Sequence, residues 1–491
     1  MRPCPSDEEK NPMLSILVGH SYFLRLDPKQ FERAKPYPPL ATLQVAASLR
    51  EGGHRVALFD AMLASGLEEY QRALEAAAPQ VVVLYEDNFN FLTKMCLAAM
   101  REACCQMIAA ARRRGARVLV AGSDVTDAPE AYLRAGAEVA LIGEGLSALA
   151  TLIGRLDTDP GCDVRSLSAG LSGLAYLDKG RVMRVSEGQV PAVAPYPRRL
   201  AWELVDLERY RRVWQEAHGF FSLNLATSRG CPFRCNWCAK PIWGNQYAQR
   251  PPEEVADELA YLKHGFHPDH VWFADDIFGF RPGWVKRFGE AARAQDALVP
   301  FTIQIRADLT SEAMAAALRE AGCVEAWIGA ESGSQRILDA MNKGTTVAEI
   351  LTARERLRAH GIRVGFFIQL GYLDEQLIDL RATRELIEAA RPDDVGVSVS
   401  YPLPGTKFFE QVKGQFLNGK THWRDSGDLA MMFRGTYSSD FYRAIRNLLH
   451  EQVSVGQLDR ARYQRAQRDL NRRWAALEST ESHFRVAQAA L

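Results

Sequence analysis

The chain has 491 residues, too many for one ordinary core and enough for two or three domains. At 47% hydrophobic and 24% charged it has the composition of a folded globular protein, which excludes a disordered or fibrous chain. Sixty basic side chains balance sixty acidic ones, whereas a protein that grips phosphates shows a basic excess, so no nucleic-acid partner is expected.

The first third alternates short apolar runs with amphipathic stretches, which predicts a parallel sheet covered by helices on both faces. Strands are expected over 14–18, 55–59, 81–85, 117–121 and 138–142, with helices notably over 40–51 and 93–114. In such sheets ligands sit at the carboxyl ends of the strands, so loops at 60–61, 85–90, 122–127 and 143–145 are expected to line a site. Residues 171–199 mix charge, Gly and Pro without a sustained period and read as a linker.

A second alternation follows, with strands over 222–227, 271–274, 301–305, 324–329, 363–370 and 395–400. Helical runs over 252–262, 311–320, 347–360 and 375–389 lie between them. Six such repeats are fewer than the eight of a closed barrel, so a partial barrel is expected. The tail reads as helical over 441–453 and 457–478. The predicted fold is therefore α/β: a doubly wound, Rossmann-like domain over 1–170, a linker over 171–215, a partial barrel over 216–410 and a helical region over 411–491. No run approaches the ~18 apolar residues of a membrane span, so no membrane partner and a cytoplasmic location are expected.

Nine cysteines, an odd count, do not read as a disulfide framework. Three of them form the run CPFRCNWC, Cys231, Cys235 and Cys238, immediately after a predicted strand. Structural zinc takes four ligands, and the nearest downstream histidines, His264, His267 and His270, are no obvious fourth. Three thiolates on a four-iron cluster instead leave one iron open to chelate and reduce a substrate.

The spacing, with Trp237 just before the last cysteine, resembles the radical S-adenosylmethionine (SAM) superfamily, whose members use a partial six-fold barrel. The resemblance implies a 4Fe-4S cluster on the three cysteines and SAM held by residues that include Trp237. It places Asp275 and Asp276 of WFADDIFGF where the family holds the methionyl amine, Arg306 where a cation pairs with the carboxylate, and Glu331 and Ser332 where the ribose hydroxyls bind. YPLPGT, residues 401–406, resembles the turn that passes the adenine. Each residue also has a plain structural reading: an Asp pair after a strand is a helix cap, and an Arg on a strand is half of a surface ion pair. One motif departs from the family: where relatives show Gly-x-Pro-Gly-Glu-Thr, this chain reads Gly371, Tyr372, Leu373, Asp374, Glu375, Gln376.

Residues 38–61 and 118–145 resemble the cobalamin-binding domain that precedes many radical SAM enzymes. Gly122, Ser123, Gly143, Glu144 and Gly145 are the candidate cobalamin contacts, small residues letting backbone amides approach a large cofactor. A plain doubly wound domain that binds a nucleotide, or nothing, is the alternative. None of the ten histidines follows an aspartate by two positions, so the Asp-x-His-x-x-Gly cobalt ligand is absent.

The combined layout resembles the cobalamin-dependent radical SAM methyltransferases. That implies methyl transfer from methylcobalamin to an unactivated carbon, or phosphorus, of a small-molecule substrate through a 5'-deoxyadenosyl radical, with an external one-electron reductant such as flavodoxin or ferredoxin. Radical cyclisation, ring contraction or rearrangement is the alternative within the chemistry, and a non-catalytic cobalamin sensor the alternative outside it. A methylthio-transferring tRNA enzyme is disfavoured, since neither its amino-terminal cluster domain nor its small basic RNA-binding barrel is visible.

Overall fold

The computed structural model describes residues 14–185, 196–238, 242, 246–417 and 419–485. The chain divides into two compact units, Met1–Val213 and Trp214–Leu491.

In the first unit β1 (Ser15–Gly19), β2 (Arg55–Phe59), β3 (Val81–Tyr85), β4 (Arg117–Ala121) and β5 (Val139–Leu141) form a parallel sheet in the order β2-β1-β3-β4-β5. Every residue of β3 is buried, as a strand covered on both faces requires. Helices Leu40–Glu51 and Ala98–Arg113 pack beside it, and Leu17, Val82, Val118 and Val120 meet Met107 and Ile108 in the core. Burying side chains of that size is worth roughly 1.5–3 kcal/mol each.

Two expectations are corrected here. The predicted linker adds β6 (Leu174–Asp178) and β7 (Arg181–Val185) to the sheet as an antiparallel extension. Lys179 and Gly180, at φ 48° and 78°, make the two-residue turn between them, the geometry that matches strand twist. Residues 186–195 of that segment lie outside the described residues. The helix expected over 93–114 is also broken, into Phe91–Lys94 and Ala98–Arg113, because Cys96 takes the left-handed conformation at φ 53°.

The second unit begins its sheet with β8 (Ser222–Leu225). A short antiparallel pair follows, β9 (Ser228–Gly230) with β10 (Tyr247–Gln249). Then come β11 (His270–Phe273), β12 (Phe301–Ile305), β13 (Cys323–Glu331), β14 (Arg363–Leu370) and β15 (Asp394–Val399). β8 and β11 to β15 pair in chain order, all parallel, as a curled half-barrel sheet. Helices alternate with the strands, and several carry the caps their sequences supply: Ser311 accepts from Met314 N, and Thr346 and Glu349 form a capping box. Helices Ser439–Gly456 and Arg460–Ser479 complete the helical carboxyl-terminal region. Among the described residues no helix is long and apolar enough to cross a membrane.

Candidate functional site

The three cysteines lie in the loop between β9 and β10, whose antiparallel pairing closes its base. Cys231 is buried, and Cys235 and Cys238 are half-buried thiols in no disulfide. Asn236 ties this loop down. Its side-chain amide donates to the carbonyl of Ala340 at 2.7 Å, its backbone N–H to Met341 at 3.1 Å, and its carbonyl accepts from Phe408 N at 2.9 Å. From the other side Asn342 donates to the carbonyl of Arg234 at 2.8 Å.

The motif that departs from the family takes part in the same bracing. Tyr372 donates from its hydroxyl to Asn236 Oδ1 at 2.9 Å, and its ring stacks on Phe408 at 4.8 Å. Gly371, at φ 72°, has Met431 Sδ 2.8 Å from where a Cβ would stand, and its N–H donates to Glu375 Oε2 at 2.7 Å. Glu375 is wholly buried, and burial pushes its carboxyl up to about 8.

Cationic groups gather at Cys235. Arg306 Nη1 lies 3.7 Å from its sulfur, with the guanidinium 3.7 Å over the Phe233 ring. Lys343, which the sequence did not single out, is buried and donates to Glu331 Oε1 at 2.7 Å. Burial opposes its charge, yet Glu331 and Cys235 together hold its ammonium above the ordinary lysine range. The backbone carbonyl of Lys343 also accepts from Arg306 Nη2 at 2.8 Å, so Arg306, Glu331 and Lys343 form one network beside the cysteine loop.

Two predicted contacts are engaged within the chain, though not as the expected helix cap and surface ion pair, since both Asp275 and Arg306 are buried. Asp275 is fully buried, and its carboxylate accepts from Thr227 N at 3.0 Å, Thr227 Oγ1 at 2.9 Å and Ser228 Oγ at 2.5 Å. It therefore fixes the turn from β8 into β9 rather than presenting an open carboxylate; the half-exposed Asp276 is the more accessible of the pair. Arg306 already holds Asp308 through both carboxylate oxygens, at 2.9 and 3.0 Å, so its cation is matched within the chain. Ser332 is likewise buried, its hydroxyl 3.2 Å from that of Thr383 and accepting from Ser334 N at 3.1 Å. Glu331 ends β13 at φ 62°, a strained conformation for a side-chain-bearing residue.

In the first unit the candidate residues cluster at the carboxyl ends of β3, β4 and β5. Gly122, at φ 155°, would bring a Cβ to 2.8 Å from the Glu86 Cβ, and Gly145, at φ 68°, to 2.7 Å from the Leu141 Cβ. Gly143 is also left-handed, its N–H donating to Thr126 Oγ1 at 3.0 Å, while the carbonyl of Glu144 accepts from the Tyr85 hydroxyl at 2.6 Å. Asp60, in the loop expected on this face, has two buried partners that the sequence did not single out, His20 and Tyr210. His20 Nε2 lies 2.9 Å from Asp60 Oδ1, and the Tyr210 hydroxyl donates to Asp60 Oδ2 at 2.5 Å. Burial opposes the charge of His20, but Asp60 raises its pKa; burial also lifts the Asp87 carboxyl to about 6.

The residues fit the groups such a chain would carry. The Trp237 indole N–H, next to Cys238, is buried without a hydrogen-bond partner, and Arg306 and Lys343 supply positive charge beside Cys235. Among the described residues no three His, Cys, Asp or Glu side chains converge on a point suited to a single metal ion. On the first unit's face both polar atoms of Asn88 and the hydroxyl of Ser123 are buried and unmatched, positions a polar cofactor would complete. The cavity between Ser21, Glu86 and Asp124 is only about 20 Å³, too small to hold a large cofactor.

Residues 225–387 match the radical SAM superfamily, and residues 31–153 match the B12 binding domain. The chain is a radical SAM enzyme with an amino-terminal B12-binding domain. Its cofactors are a 4Fe-4S cluster, SAM and cobalamin. An uncharacterized methyltransferase of Pyrococcus horikoshii is 26% identical to this radical SAM enzyme, over 79% of this chain and 81% of its own. The anaerobic magnesium-protoporphyrin IX monomethyl ester cyclase of Cereibacter sphaeroides is also 26% identical, but over 57% of this chain and only 45% of its own length. Among solved structures, the radical SAM methyltransferase TsrM of Kitasatospora setae, with cobalamin and a 4Fe-4S cluster bound, shares the fold at a TM-score of 0.64 and 20% identity. That likeness covers 81% of this chain and 77% of TsrM.

Proposed function

We propose that this enzyme transfers a methyl group to an unactivated carbon, or phosphorus, of a small-molecule substrate, using cobalamin and a SAM-derived radical. The observation that carries the reading is the joining, in one chain, of a B12-binding match and a radical SAM match with a cysteine loop braced through Asn236. When bound, the cluster supplies the electron that cleaves SAM, and cobalamin carries the methyl group.

In this reading Cys231, Cys235 and Cys238 ligate the cluster. Arg306 and Lys343 place positive charge beside Cys235. Glu331 meets the ribose, oriented by Lys343, while Asp276 and the region of Trp237 meet the methionyl end. Asp275, Ser332 and Asn236 are positioning residues that hold the loops carrying these groups. Gly122, Ser123, Gly143, Glu144 and Gly145, with Asn88, line the cobalamin face. The electron comes from an external one-electron reductant such as flavodoxin or ferredoxin. The domain assignment that goes with this reading gives residues 1–170 to cobalamin and 216–410 to SAM, with the β6–β7 hairpin extending the first sheet beyond residue 170.

Anaerobic turnover of the reduced, cobalamin-loaded enzyme with its substrate tests the proposal. Matched amounts of S-adenosylhomocysteine and 5'-deoxyadenosine are expected, with label from the SAM methyl group in the product. Deoxyadenosine without S-adenosylhomocysteine would replace methyl transfer by cyclisation or rearrangement.

A further inference from the structure

A cavity of about 360 Å³ in the second unit lies away from the cysteines. It opens where β14 begins at Arg363 and β15 at Asp394, the amino-terminal rim of the half-barrel. The cysteine loop follows β8, at the carboxyl ends of the same parallel strands, so the two places lie on opposite rims.

Arginine dominates its wall: Arg354, Arg358, Arg363 and Arg391 all line it. Arg354 is 4% exposed. Its Nη2 donates to the carbonyl of Arg391 at 2.9 Å and lies 3.4 Å from the Asp393 carboxylate, which accounts for one corner of the guanidinium. Nε and Nη1 are buried with no hydrogen-bond partner. A buried polar group left unmet costs roughly 1–3 kcal/mol, more when it is charged, so two unmet nitrogens on one fork point to a missing acceptor.

The acids of the wall do not supply it. Asp393 Oδ2 also accepts from Val364 N at 2.7 Å, and Glu388 is held by Arg384 and Gln467. Arg358 and Arg391 are exposed and form no ion pair among the described residues; the Arg391 guanidinium lies 6.0 Å over the Tyr463 ring. The rest of the wall is mixed, with Ile362, Ile387 and Val453 beside Gln452 and Gln457.

We propose that this cavity binds a phosphate monoester, its phosphate on Arg354, Arg358 and Arg391 and its organic part against Ile362, Val453 and the Tyr463 ring. A carboxylate has two oxygens for three guanidinium forks, whereas a phosphate has three terminal oxygens and up to two charges. The volume falls in the range of small-molecule sites. Placed on the rim opposite the cysteines, the ligand binds without competing with SAM.

Calorimetric titration of the full-length, cofactor-loaded protein with AMP, and separately with inorganic phosphate, tests this. The expected result is saturable binding of AMP that is tighter than that of phosphate, unchanged by saturating SAM, and weakened by about tenfold or more in the double variant Arg358→Glu, Arg391→Glu. Because both of those side chains are exposed, the variant keeps its circular dichroism spectrum even if Arg354→Met fails to fold. Phosphate binding as tightly as AMP would overturn the part assigned to the apolar side chains. Equal binding by the variant and the parent, or no binding of either ligand at about 10 mM, would overturn the site itself.

Discussion

The two parallel sheets each offer functional groups at the carboxyl ends of their strands, yet they hold them by different means. In the second unit the cysteine loop is fixed largely by side chains: Asn236 to the carbonyl of Ala340, Asn342 to Arg234, and Tyr372 to Asn236. In the first unit the face is shaped by left-handed glycines, and it keeps buried polar atoms on Asn88 and Ser123 that nothing in the chain satisfies. If a cofactor supplies the partners those polar atoms lack, changes on that face act on cofactor retention and on the stability of the unit together.

The largest effect expected on this contrast is from Cys235→Ala. It should abolish cluster assembly and deoxyadenosine formation, read by iron and sulfide content and by anaerobic product analysis, while the first unit still retains cobalamin. A variant that still made deoxyadenosine would remove Cys235 from the ligand set. Next comes Gly122→Val, whose side chain meets Glu86 and whose backbone must hold φ 155°. A loss of about 3 kcal/mol is expected, seen as a lower unfolding temperature together with weaker cobalamin retention. Unchanged cobalamin retention would detach the glycine face from the cofactor.

Glu375→Gln probes the brace behind the departing motif through pH. Burial raises this carboxyl from 4.5 to about 8, so the folded protein holds the proton more tightly than the unfolded chain does. Its contribution to stability is complete below pH 4.5 and is lost as pH rises through about 8. The variant cannot ionise, so it should gain on the parent as pH rises, by up to about 5 kcal/mol at pH 9, with no difference at acid pH. Denaturant unfolding at several pH values would show it, and parallel curves would contradict it. The smallest effect is Tyr372→Phe, which removes one hydroxyl hydrogen bond to Asn236 and should cost about 1 kcal/mol, with a broadened electron paramagnetic resonance spectrum of the reduced cluster.

Much of this was readable from residues. Strands over 55–59, 81–85, 117–121, 301–305 and 363–370 form over the expected residues, because each is a short run rich in apolar and β-branched or aromatic residues. The β6–β7 hairpin was hidden by its mixed composition, although Lys179-Gly180 between alternating residues is a hairpin signal. Cys96 breaks its helix without a Gly or Pro to announce it. At the site, the cysteine spacing stands out because ligation demands it. The partner of Arg306 was also within reach, two residues on at Asp308, but the resemblance drew attention to a cofactor carboxylate instead. Lys343 was invisible because it comes from the loop after helix Gln335–Ala340, and only the fold brings it to Glu331.

Metal, sulfide and cobalamin analysis of the anaerobically prepared full-length protein bears most directly on the account. About four irons, four sulfides and one cobalamin per chain are predicted. One zinc ion with no inorganic sulfide would contradict it.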